Sequence, residues 1–130
     1  MTTNIVDSPW VARAQAALRI MTGLLFLEHG AAKLFGFPQT ANPGPALLSL
    51  LGVQGVLEFA GGLLIALGLL TRPVAFILCG DMAVAYFMSH APKSFFPVLN
   101  GGGAAILYCF IFLFLAVAGA GSWSVDGARK

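Results

Sequence analysis

Residues 11–35 read VARAQAALRIMTGLLFLEHGAAKLF. The stretch is long enough to cross a bilayer as one helix, which takes about 20 residues. Near its end it carries Glu28, His29 and Lys33 within six positions. Ionisable groups are costly to desolvate in hydrocarbon, so a membrane helix that keeps three so close together uses them. The run locates a candidate site without naming its chemistry.

The surrounding composition agrees with a membrane setting. Of 130 residues, 58% are hydrophobic and 9% charged, against about 25% charged in soluble domains. Mean hydropathy is +0.89. So few charges cannot coat a water-facing surface, and the lipid bilayer is the expected solvent. The net charge of +2 is small and scattered, which excludes a nucleic-acid footprint. The length suits a single domain, residues 1–130.

Four apolar stretches, about 11–35, 46–70, 73–91 and 101–121, predict an all-α bundle of four transmembrane helices. Ser8-Pro9-Trp10 precedes the first, with Trp10 suited to the interface. Asn42-Pro43-Gly44-Pro45 holds off the second, and Thr71-Arg72-Pro73 makes a tight turn into the third. Pro92 and Pro97 separate the third from the fourth, and Gly119, Gly121 and Trp123 mark the exit. Arg19 interrupts the first apolar run and no small-residue cleavage site follows it, so that segment is expected to be retained. Four crossings put both termini on one side, with Arg13, Arg72, Arg129 and Lys130. Lys33 and Lys93 lie opposite, so the termini are expected to be cytoplasmic.

Small residues in the second helix (Gly52, Gly55, Gly61, Gly62 and Gly68) read as helix-packing positions. The run Gly101-Gly102-Gly103 leaves a cap, a flexible entry or a ligand contact open. Cys79 and Cys109 form no CxxC pair. They read either as small buried side chains or as a redox pair across neighbouring helices.

At about 1.5 Å rise per residue, Arg19 and Asp81 both lie roughly 10–12 Å inside the membrane, with Glu58 at about 18 Å. These three are expected to form a structural ion network, Arg19–Asp81 being the natural pair. Glu28, His29 and His90 fall at roughly 24–26 Å, with Lys33 and Asn100 slightly beyond. Arg19, Thr22, Gly23, His29, Gly30 and Lys33 share one helical stripe, whereas Glu28 points about 100° from His29. Three readings fit this outer cluster. It is a polar network fixing helix register, a site for a polar head with an apolar tail such as a quinone, or a metal site. No His pair at i, i+4 pre-forms a metal site, and no metal is assigned. Walker, dinucleotide-binding and nucleophile-elbow patterns are absent, as are haem and iron–sulfur motifs.

The ordered motifs resemble the DoxX family of small four-helix membrane proteins. Leu18-Arg19 is followed by Gly23-Leu24-Leu25-Phe26 and by His29-Gly30-x-x-Lys33-Leu34-Phe35-Gly36. Next come Glu58-x-x-Gly61-Gly62-Leu63-Leu64 and Leu67-Gly68-Leu69-x-Thr71-Arg72. Met82-x-x-Ala85, Asn100-Gly101-Gly102 with Leu107-Tyr108, and Gly119-x-Gly121-x-x-Ser124-x-Asp126 complete the set. The resemblance implies a multi-pass protein of the bacterial inner membrane, tied in some members to quinone-linked redox complexes and undefined in many. Family members commonly place glutamate after Asn-Gly-Gly, where this chain has Gly103.

The leading expectation is an accessory or quinone-interacting component of a membrane redox system, without an intrinsic cofactor. If catalytic, it would be part of a quinone-linked oxidoreductase complex. His29, Lys33, His90 and Asn100 would contact the headgroup, and Glu28 with His29 would move protons. The rival expectations are a non-enzymatic scaffold or carrier subunit and a small transporter of lipophilic substrates. Membrane redox subunits are the expected partners, and the transporter would act as a homo-oligomer.

Overall fold

In a computed structural model the described residues are 4–37 and 49–129. They are all-α: α1 (Pro9–Phe35), α2 (Leu50–Leu67), α3 (Thr71–Ser89), α4 (Pro97–Asn100), α5 (Gly103–Ala118) and α6 (Val125–Ala128). Short 3-10 turns cover Ile5–Asp7 and Ala91–Lys93. Asn42-Pro43-Gly44-Pro45 and the expected start of the second helix at 46 lie outside the described residues. The chain divides into two compact units, residues 1–71 with 120–130, and residues 72–119.

Local chemistry sets the helix limits. Ser8 caps α1 by accepting the Trp10 amide at 3.2 Å, with Pro9 at the first helical position. Ser49 caps α2 by accepting the Gly52 amide at 3.1 Å. Two helices, Leu50–Leu67 and Thr71–Lys93, are long and apolar enough to cross a membrane. The 27-residue α1 has the length but carries Arg13, Arg19, Glu28 and Lys33. The fourth expected stretch, 101–121, is helical only over the 16 residues Gly103–Ala118. It stops there because Gly119 takes φ 86°, ψ −164°, which no helix continues.

In the first unit α1 and α2 run antiparallel with their backbones in contact. A Cβ at Gly23 would lie 2.5 Å from the Ala66 amide nitrogen, and one at Gly62 would lie 2.5 Å from that of Leu27. A Cβ at Gly30 would collide with the Phe59 backbone. These glycines allow the close approach that gives apolar helices their dispersion energy in lipid. Phe35 and Phe59 close one end of the seam edge to face, with centroids 5.5 Å apart.

Arg19 closes the other end. Its side chain is fully buried, and its guanidinium donates from Nε to the Ile65 carbonyl at 3.1 Å. Nη1 reaches the carbonyls of Ala120 (2.7 Å) and Ser122 (3.3 Å), and Nη2 that of Trp123 (2.8 Å). The Ser122 amide donates to the Ala12 carbonyl at 3.2 Å. Within this unit Arg19 is thus held by four backbone carbonyls, because the 120–123 segment and the end of α2 bring carbonyl oxygens to the guanidinium fork. Gly68, the α2 cap at φ 70°, must be glycine for a second reason. A Cβ there would lie 2.5 Å from the Ser124 Cβ.

Asp126 completes this junction. Its carboxylate accepts the amides of Leu70 (2.8 Å) and Thr71 (2.9 Å) at the start of α3, where a negative charge meets the positive end of the helix dipole. Leu70 and Trp123 are non-glycine residues at φ 53°, a conformation costing of order 1–3 kcal/mol. Asp126 holds the first and Arg19 the second.

In the second unit Asn100 organises the turn between α3 and α5. It is buried, donates from Nδ2 to the Tyr86 hydroxyl (3.1 Å) and the Ser94 carbonyl (3.0 Å), and accepts the Gly102 amide at 2.7 Å. Gly102 is a packing position, since its Cβ would lie 2.6 Å from the Tyr86 ring. A Cβ at Gly103 would meet nothing within 4 Å.

Gly62→Ala is expected to lower stability by about 1–3 kcal/mol through overpacking. Gly80→Ala, where an added Cβ meets nothing within 4 Å, should be neutral or mildly stabilising; thermal unfolding in detergent compares the two. Arg19→Gln should cost about 3 kcal/mol, the upper value for a charged hydrogen bond. It should also speed amide exchange across residues 120–129, and Arg19→Lys should restore only part of the protection. Burial raises the Asp126 carboxyl, but the Thr71 and Leu70 amides and the Arg129 charge outweigh it and hold it below its ordinary value. Its stabilisation is therefore complete above the ordinary value of 3.8 and is lost as pH falls through the lower folded one. Melting temperature should drop in that acid range, and the drop should shrink in Asp126→Asn.

Candidate functional site

The buried charge of α2 meets α1 three residues past Gly30. Lys33 Nζ donates to Glu58 Oε1 at 2.6 Å, and Gln54 Nε2 donates to the same oxygen at 3.2 Å. The Lys33 side chain is 28% exposed and that of Glu58 only 4%, so the carboxylate is desolvated while the lysine stays part-exposed. The close seam at Gly30 and Gly55 sets this contact, since a Cβ at Gly55 would come within 3.2 Å of the Lys33 Cβ. Glu58 Oε2 is buried and has no hydrogen-bond partner among the described residues. A buried acceptor left so costs roughly 1–3 kcal/mol. The arrangement can therefore receive a hydroxyl donor on Oε2 while Lys33 holds Oε1.

Among the expected site residues, the first unit joins Lys33 to Glu58, and Glu58 pairs with Lys33 rather than Arg19. Glu28 and His29 lie on exposed surface of α1. The His29 ring places Nδ1 2.7 Å from the Leu25 carbonyl. A carbonyl only accepts, so Nδ1 carries the proton. The second unit joins His90 to Asn100 through the same type of bond, Nδ1 to the Asn100 carbonyl at 3.0 Å. Tyr86 stacks on the His90 ring with centroids 6.2 Å apart. Asp81 is half-buried on α3. Among the described residues no three His, Cys, Asp or Glu side chains cluster to hold a metal ion.

Gln54 and Tyr86 were not singled out from sequence. Each carries the same signal, a polar side chain four residues before a site residue (Glu58 and His90) and hence on the same helix face.

The DoxX family model matches residues 14–91, which hold most of α1, all of α2 and α3, and the Lys33–Glu58 pair. An uncharacterized protein of Haemophilus influenzae is 42% identical over 116 residues, covering 85% of this chain and 87% of that protein. An uncharacterized membrane protein of Mycobacterium tuberculosis is 37% identical over 79 residues, covering 55% of this chain and 48% of that protein. No solved structure matches the chain significantly. With more than half its length matched by the family model and a relative this similar over nearly the whole chain, the protein belongs to the DoxX family, and its composition and apolar helices make it a membrane protein.

Proposed function

We propose that this protein is a quinone-interacting accessory component of a membrane redox system. It would sit in the bacterial inner membrane with four crossings and cytoplasmic termini. The description of the Mycobacterium tuberculosis relative as a membrane protein agrees with that placement. The observation that carries the reading is Glu58 Oε2, buried and without a hydrogen-bond partner among the described residues, beside the Lys33 ammonium. A hydroquinone brings hydroxyl donors on an apolar body and so matches a buried carboxylate oxygen that lacks a donor. Lys33 would donate to a quinone carbonyl, and Glu58 would take or return the proton. Because Glu28 and His29 lie on exposed helix surface, the reading centres on Lys33 and Glu58.

A second reading, a scaffold or carrier subunit without chemistry, is favoured by Arg19. That residue spends its whole guanidinium on backbone carbonyls and so contributes only to architecture.

Mass spectrometry of organic extracts from the protein in native-lipid nanodiscs separates the two. Near-stoichiometric quinone is expected with the native chain. About tenfold less is expected with Glu58→Gln, which replaces an acceptor oxygen by a donor and forfeits roughly 1.4 kcal/mol. A chain that carries stoichiometric partner subunits and no quinone makes the scaffold reading the correct one.

A further inference from the structure

Cys79 on α3 and Cys109 on α5 face each other within the second unit, their sulfurs 3.7 Å apart. The Cys109 thiol also reaches the Cys79 carbonyl at 3.5 Å. Both are free and both are part-exposed rather than sealed in a core. Closing a disulfide, about 2.05 Å long, requires the sulfurs to approach by less than about 2 Å. Cys79 lies in a segment apolar and long enough to cross a membrane, and Cys109 in the apolar α5. A charged, water-borne thiol such as glutathione does not enter hydrocarbon, so the pair answers to lipid-soluble reagents.

We infer that Cys79 and Cys109 form a two-electron dithiol site oxidised by a quinone within the bilayer, an inference that rests on the quinone reading of the protein. Two S–H bonds break and one S–S bond forms. The two electrons and two protons pass to the quinone's carbonyl oxygens and give a hydroquinone. The disulfide then bridges α3 to α5, and two equivalents of an uncharged, lipid-soluble thiol reduce it, restoring the open pair and leaving the reductant as its disulfide.

The test uses the full chain in nanodiscs, reduced, freed of reductant and incubated anaerobically with a short-tailed ubiquinone analogue. Intact mass after maleimide labelling counts free thiols, and absorbance counts hydroquinone. Two adducts are expected to fall to none, with one hydroquinone formed per chain. Cys79→Ser and Cys109→Ser should each keep one reactive thiol and form no hydroquinone. Two adducts persisting after quinone overturn the site. If diamide then joins the thiols, the quinone coupling is the part that is wrong; if diamide also fails, the pairing itself is wrong. Quinone retained beside two reactive thiols overturns the dithiol site and leaves the Lys33–Glu58 reading standing. A disulfide formed by a chain that retains no quinone does the reverse.

Discussion

A guanidinium removed from water must find acceptors within the protein. Each of the three Arg19 nitrogens finds one among backbone carbonyls. The first unit depends on this choice. The Ile65 carbonyl at the end of α2 accepts the Gly68 amide at 3.1 Å and also Arg19 Nε. The remaining acceptors come from a segment with no regular structure to satisfy them, 120–123. Bringing that segment in places Asp126 against the first amides of α3, presses Ser124 on Gly68 and holds Trp123 at positive φ. One buried cation thus organises a helix end, a turn and a terminal segment.

The second buried charge of this unit is satisfied differently. Arg19 is closed, each nitrogen bonded and the side chain inaccessible. Glu58 is equally buried but unevenly answered: two donors bind Oε1 while Oε2 has no partner among the described residues. Polar groups that only stabilise a bundle tend to complete one another. That unevenness, beside a part-exposed lysine, is what the proposed function rests on. The same glycine seam that packs α1 on α2 sets the Lys33–Glu58 distance, so fold and site share their determinants.

The helices were legible because apolar runs of this length have few alternatives, and because Ser8, Pro9 and Thr71-Arg72-Pro73 punctuate them. The packing role of Gly55 and Gly62 was legible for the same reason, small residues repeating on an apolar helix. The carbonyl acceptors of Arg19 were not. Depth along a helix pairs charges with charges, and it is blind to a loop that returns from residues 120–123 to offer carbonyls. Depth also placed Glu58 well below Lys33. The glycine seam instead sets Gly30 against Phe59 and Gly55 against Lys33, which brings Glu58 within about one turn of Lys33, an offset between helices that counting from their ends does not give. The end of α5 was missed because residues 119–121 remain apolar while the Gly119 backbone has already turned away.

The chain order of the Arg19 cluster carries a consequence for biogenesis. Arg19 emerges from the ribosome first, and three of its four acceptors lie 101 to 104 residues later. Until they are made, the Ile65 carbonyl is the acceptor at hand among these four. The rest of the guanidinium must wait at the interface or borrow water and lipid headgroups. Residues 120–123 are therefore the ones that allow α1 to settle, and α1 reaches its final setting only after they have been made.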